Sequence, residues 1–359
     1  MFRVYRRLLL AAATASLMLL LSACWDNKDI NHRSLPIVMG LAKYDDHYKM
    51  YLQIPEVTSN RTRLRIVEET GETISQIVDK ISMNMDNRVD LMHLKVLLVD
   101  KAYAKGGMND SINSFIRAQD ISPKTMMAIC DEPLEQFFAN LNKYDTKDGT
   151  VLIDFFEKNA GWNPQVAQTR LWEMFRSIYS FTHDTIVPII QSGGSTLIES
   201  KGSAIIKNGR MVDRITPGET LLINAFNGLS TQGKIEVMDH ADIQIVSNKI
   251  SHKSKVTNNK AMLTSRIRFK VTILETKGDP SIEQVQRELE TQLSQRMSGI
   301  VAKIKKRKAD VLSMGQLFRG KLSREQLEHW RQNYLPEIDL TLKVDVIVEN
   351  EGNLTMRRE

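Results

Sequence analysis

The sequence predicts an α+β, mixed α/β chain of several domains: an N-terminal α/β region, then a C-terminal antiparallel sheet with a long amphipathic helix. Three observations carry this reading. Short apolar runs rich in Val, Ile, Leu and Met alternate with helical periodicity through the first half. Two-residue alternation, as in Ile267, Phe269, Val271 and Ile273, dominates the second half. Between those late strands, Ile282, Val285, Leu289, Leu293, Met297, Ile300, Val301 and Ile304 make one helical stripe.

The chain opens on residues that do not read as a folded domain. Arg3, Arg6 and Arg7 precede the uncharged apolar run from Leu8 to Leu21, and Leu21-Ser22-Ala23-Cys24 follows at once. A basic start, a short apolar core and small residues at the cut describe a secretory signal. The run is short for a permanent crossing of ~30 Å of hydrocarbon. A cysteine directly after Leu-Ser-Ala points further, to a lipoprotein, because the thiol carries the diacylglycerol and the small residues admit the peptidase. Residues 1–23 are therefore expected to be removed, Cys24 to be lipidated, and residues 24–34 to form a membrane-proximal tether. A diacylated cysteine has enough acyl chains for stable attachment.

The net charge is +6, and the signal holds three arginines and no acid, so the mature chain is at about +3. That is too mild to suggest a nucleic-acid partner, and it allows only weak attraction to an anionic membrane surface. With Cys24 taken by lipid, Cys130 has no disulfide partner; its place at the end of Met126-Met127-Ala128-Ile129 marks a buried thiol.

Along the chain, residues 35–143 read as an α/β domain. Pro36–Leu41 and Tyr48–Ile54 flank Asp45-Asp46-His47 as a hairpin. Thr73 caps a helix with Ile74, Ile77, Val78, Ile81 and Met85 on one face, and Glu68-Glu69 reads as loop before it. Leu94–Val99 is a strand, Met108–Arg117 a helix, Met126–Cys130 a strand, and Pro133 starts a helix bearing Leu134, Phe137, Phe138 and Leu141. The polar Lys143–Gly149 reads as a boundary. Residues 144–194 read as a helical middle segment and linker: a helix from about Pro164 to Phe181, a strand over Ile186–Ile190, and the Gly/Ser segment Gln191–Ser195.

Residues 195–359 read as a C-terminal α+β domain. Asn208-Gly209 is a strong hairpin signal between Thr196–Ile206 and Arg210–Ile215. A short helix over Pro217–Phe226, strands over Lys234–Met238, Ala241–Ile250 and Leu263–Leu274, and the long helix opening at Ser281 follow. Lys303, Lys305, Lys306, Arg307 and Lys308 crowd its end, where they favour the negative pole of the helix dipole; a membrane-surface role is the other reading of that cluster. A helix over Ser323–Asn333 and a strand over Ile338–Val348 close the chain.

No motif carries catalysis. The seven histidines include no pair at metal-ligand spacing, and His-Glu-x-x-His, Cys-x-x-Cys, phosphate-loop and nucleophile-elbow patterns are missing. Asp45-Asp46 reads as turn chemistry. The expectation is a protein without enzymatic activity, cofactor or metal.

Several segments together resemble one family. Trp25-Asp26-Asn27-Lys28-Asp29-Ile30-Asn31 is similar to the Cys-Trp-Asp-x-x-Glu-Ile-Asn opening of the GerAC-type (Ger(x)C) lipoproteins, the C subunits of spore germinant receptors, with Asp29 in place of Glu. Thr70–Ile74 with Leu91–Leu98 resembles the family's N-terminal region, and Gly202–Ile206 with Met211–Asp213 the start of its C-terminal domain. Ala309–Gly315 followed by His329–Tyr334 resembles its Asp-x-x-Gly-Phe-Gly and tryptophan-bearing segment; Ser313 and Met314 stand where Gly and Phe are usual.

The resemblance implies mixed α/β domains and a non-enzymatic subunit on the outer face of the spore inner (cytoplasmic) membrane. It implies assembly with two polytopic membrane subunits, one permease-like, into a nutrient-sensing complex that triggers germination. Beside the lipid, Trp25 and Asp26 are candidate partner-binding residues: an indole suits the membrane interface, and Asp26 offers an acceptor to a basic group. Alone, the soluble part is expected to be monomeric. The alternative is a lipid-anchored extracytoplasmic solute-binding protein of a transporter, which wants two similar lobes; the two halves here are dissimilar.

Overall fold

The computed structural model describes residues 2–7, 14, 16, 33–58, 61–118, 120–142, 151–156 and 163–350. Cys24, Trp25, Asp26 and the Lys143–Gly149 boundary lie outside the described residues.

The hairpin around Asp45 begins a large mixed sheet. Its strands are β2 (Val38–Tyr44), β3 (His47–Thr58), β4 (Arg61–Gly71), β6 (Val96–Asp100), β7 (Met126–Cys130), β9 (Thr185–Ser192), β10 (Ile198–Lys207) and β11 (Arg210–Ile215), in spatial order β11-β10-β9-β7-β6-β2-β3-β4. The two-residue β8 (Thr169–Arg170) adds to β7, and β1 (Arg33–Ser34) pairs separately with β5 (Arg88–Val89). The central β2, β6, β7 and β9 are parallel, and the flanking pairs are antiparallel. Parallel neighbours need helical crossovers, which put helices on both faces and explain why β6 and β7 are continuous apolar runs.

One face carries α1 (Ile74–Met83), α2 (Lys101–Gly106), α3 (Asn109–Ala118) and α6 (Leu171–Tyr179), packed on Met39, Leu97, Val99, Met127, Ile129 and Ile189. The other carries α4 (Leu134–Asn142) and α5 (Val151–Phe156), packed on Val38, Val96, Leu98, Ala128 and Cys130. Cys130 is fully buried there, and burial pushes its thiol up to about 12, so it stays protonated and inert.

The C-terminal unit is a second sheet of β12 (Ile235–Val237), β13 (Ala241–Thr257), β14 (Lys260–Thr276) and β15 (Asp339–Asn350), in that order. One face is buried under α7 (Pro217–Phe226) and α8 (Ile282–Arg307). Thr216 and Ser281 cap these helices by accepting from the backbone N–H of Glu219 and Gln284. The expected stripe of α8 is the buried one: Val285, Leu289, Leu293, Met297, Ile300 and Ile304.

The structure amends several expectations. Glu68 and Glu69 stand in strand β4, not in a loop; a charged strand is suited to the sheet edge it occupies. The helix expected from Pro164 starts only at Leu171, because Thr169 and Arg170 bond to β7 and the Arg170 N–H donates to Glu173. Gln191–Ser195 forms the end of β9 and the turn into β10, so the large sheet continues through it and takes in the Asn208-Gly209 hairpin, whose residues have φ of 47° and 72°. β13 and β14 run on to a tight turn at Asn258-Asn259, both at positive φ. The stretch over Ser323–Asn333 splits into α9 (Arg324–Glu328) and a wider turn over Trp330–Tyr334, where the Leu335 N–H reaches back to the Trp330 carbonyl. Last, β15 is parallel to β14, within an otherwise antiparallel sheet, because the long α8 crosses over between them.

Candidate functional site

The segments that carry the family resemblance after residue 300 meet at the junction of the two sheets. Asp310 is fully buried at the end of α8. Its carboxylate accepts from the backbone N–H of Met314 (2.9 Å) and Gly315 (2.8 Å) and from the Trp330 indole N–H (2.8 Å). Trp330 is itself buried, stacked on Tyr334 and tilted against Phe318. Gly315 is required by space: a Cβ there would lie 2.8 Å from the indole nitrogen of Trp330.

A second buried carboxylate ties this loop to the large sheet. Asp184, just before β9, takes a bidentate ion pair from Arg331, with Nε to Oδ2 at 2.9 Å and Nη2 to Oδ1 at 2.7 Å. The same guanidinium donates to the Ser180 carbonyl. The Asp310 N–H donates to Asp184 Oδ2 at 2.7 Å, and the Asp184 N–H donates to the Asp310 carbonyl at 2.9 Å. Burial raises both carboxyls above their ordinary range. Asp310, without a cation of its own, is pushed up to about 7; donors from Gly315 and Met314 hold it down, and the nearby Asp184 charge pushes it further up. Asp184 keeps the guanidinium.

Above this clasp lies an open cleft of about 660 Å³ lined by Trp172, Phe175, Arg176, Tyr179, His183 and Ser313, among others. Arg176 sits over the Trp172 ring, 5.0 Å from its centroid. His183 Nδ1 and Ser313 Oγ are 2.7 Å apart. The pair resembles a nucleophile and its base, but the electrostatics oppose that use. Burial, with Arg176 and Arg331 adding, lowers the imidazole to about 4, and a general base has to carry the abstracted proton. The bond instead holds Ser313 at φ 55°, a conformation that favours the glycine usual at this place in the resembling pattern.

Of the candidates read from sequence, Trp25, Asp26 and Cys24 lie outside the described residues. The structure brings together Asp310, Gly315, Trp330 and Arg331, and pairs Gly202–Ile206 with Met211–Ile215 as β10 and β11. Sequence reasoning missed the Asp184–Arg331 pair. Its one signal was a lone acid between a helix and an apolar strand. Three of the five basic residues at the end of α8 are engaged internally: Lys303 pairs with Glu219, Arg307 with Asp213, and Lys305 donates to the Ile338 carbonyl, while Lys306 and Lys308 are exposed. Among the described residues no group of three His, Cys, Asp or Glu is placed to hold a metal ion, and no helix is long and apolar enough to cross a membrane.

Residues 26–192 match the family described as spore germination protein N-terminal domain, and residues 201–352 match that described as spore germination B3/GerAC like, C-terminal. Spore germination protein A3 of Bacillus subtilis (strain 168) is 27% identical over 231 residues, covering 61% of this chain and 60% of that protein; the chain thus spans about three fifths of that relative. Spore germination protein KC of the same organism is 19% identical over 398 residues, covering 97% and 96%. The crystal structure of the GerBC protein superposes with a TM-score of 0.57 at 16% identity, covering 90% of this chain and 100% of that one, which shows a shared fold. With both domain families matched in order along its length, the chain belongs to the GerAC-type family of spore germination proteins.

Proposed function

We propose that this chain is the lipid-anchored C subunit of a spore nutrient receptor, needed for nutrient-triggered germination. It acts without catalysis, as an interaction and signalling subunit on the outer face of the spore inner membrane. One observation carries the reading: both domains of the family follow in order, directly downstream of Leu21-Ser22-Ala23-Cys24. The polar residues of the Asp310–Arg331 block support it, since they are spent on buried bonds that fix the junction rather than on a reactive site. The unlike units, a nine-stranded and a four-stranded sheet, do not make the matched lobes of a solute-binding protein.

In this reading the partners are two polytopic membrane subunits, one permease-like, and Trp25 and Asp26 meet them beside the lipid. Without its lipid the protein is monomeric. The test is nutrient-triggered germination in a deletion strain complemented with wild type, Cys24→Ser, Trp25→Ala or Asp26→Ala, with membrane levels checked by immunoblot. Wild type restores germination; Cys24→Ser does not, and it takes up no radioactive fatty acid. A deletion that leaves germination intact and instead impairs uptake of one solute by growing cells overturns the proposal.

A further inference from the structure

No described residue covers the outer face of the C-terminal sheet, which is strongly basic over its hairpin half. Side chains alternate along β13 and β14, so the face opposite α8 receives Lys249, Lys253 and Lys255 from β13 and Arg266, Arg268 and Lys270 from β14, all exposed. The register sets Lys249 beside Arg268 and places Lys253 and Lys255 farther toward the turn, opposite Thr264 and Met262. Two acids of β15 answer them: Asp345 lies 3.2 Å from Arg266 and 4.0 Å from Arg268, and Glu349 pairs with Lys270. Lys249, Lys253 and Lys255 have no ion pair among the described residues. Like charges set side by side on a sheet destabilise it, so folding alone does not explain the row. At the basic end of α8, Lys303 and Arg307 are paired within the molecule.

We infer that this face is a docking surface for an anionic bilayer, against which the C-terminal sheet lies flat. Charge complementarity names the occupant: repeated, flexible cations on a flat surface suit a plane of anionic headgroups, each Lys or Arg adding to the attraction. A protein partner would want aromatic or apolar anchors that become fully desolvated. Here the exposed apolar side chains Ile235, Val237 and Leu274 lie at the end of the sheet away from the lysine row, and only Met262 and Ile347 stand, singly, on its basic part. The surface lies outside the junction cleft. The inference takes its setting from the lipid-anchored reading above, but its test does not use the lipid.

The test uses the mature chain, residues 24–359 with Cys24→Ala, which retains every strand and helix of both cores. It is floated with vesicles of phosphatidylcholine, or of phosphatidylcholine with about one third phosphatidylglycerol. Binding to the anionic vesicles alone is expected, weakening as salt shortens the Debye length from ~30 Å at ~0.01 M to ~8 Å at ~0.15 M. Reversing Lys249, Lys253 and Lys255 to Glu lowers the partition coefficient at least about tenfold. Reversing Lys95, Lys105 and Lys124, exposed on the other unit, changes net charge equally and leaves binding within about twofold. A triple Lys→Gln variant of the sheet face, with an unchanged unfolding midpoint, shows an intermediate loss. No binding to anionic vesicles, equal losses in the two reversals, or retention on an immobilised acidic polypeptide but not on vesicles overturns the inference. Because this chain carries no lipid, its failure to bind would leave the anchor untouched, and fatty-acid labelling at Cys24 tests the anchor separately.

Discussion

Asp184 and Arg331 form the most deeply buried ion pair among the described residues. Both are buried, and the guanidinium has a bidentate carboxylate partner. Asp184→Ala strands a buried cation and is expected to cost about 3–5 kcal/mol of unfolding free energy. Arg331→Met leaves two adjacent buried carboxylates and costs a similar amount. The double variant removes both charges and costs much less than the sum. Urea unfolding measures all three, and additive losses below about 1 kcal/mol each would show that the clasp is not what joins the two sheets. His183 gives a pH signature of the same junction. Its folded pKa, about 4, lies below the ordinary ~6.5, so the neutral ring contributes stability that is complete above the ordinary value and lost as pH falls toward 4. Between about pH 7 and pH 4.5, the stability advantage of wild type over His183→Asn should shrink by on the order of 1–3 kcal/mol. Asp310 moves in the opposite sense but is common to both proteins and cancels. An advantage that does not change with pH contradicts a buried neutral imidazole.

Elements were legible where one residue's side chain decides its own backbone. Thr73, Thr216 and Ser281 cap helices, and Asn208-Gly209 turns a hairpin, so those ends follow from local chemistry. The failures are elements decided by distant neighbours. β4 alternates only briefly, with Leu64 and Ile66 each following an arginine, before the charged Glu68-Glu69, and pairs along its length with β3. Thr169 and Arg170 leave the helical periodicity of their surroundings because β7 has a bond to give them. The direction of β15 could be read only by noticing that a helix as long as α8 makes a crossover, not a hairpin. The cleft and clasp were half legible. Asp310 and Trp330 stand in a recognisable block, whereas Asp184 and His183 reach it from more than a hundred residues away and have no local pattern.

At the scale of the whole molecule, two unlike units share one junction, held by the buried polar groups of Asp184, Asp310, Trp330 and Arg331. At the end of α8, Lys303 and Arg307 hold the helix to α7 and β11, while the alternating lysines of β13 have no ion pair among the described residues. The proposed receptor subunit fits this distribution: two folded units, and surfaces left for other molecules. The most direct test of that role is purification of the lipidated, tagged chain from spore membranes in mild detergent, with identification of the proteins that remain bound in stoichiometric amount. Two polytopic membrane proteins, one of them permease-like, are expected, and both should be lost when Cys24→Ser replaces the wild type. Recovery of an ATPase with its permease, or of no polytopic protein at all, would contradict it.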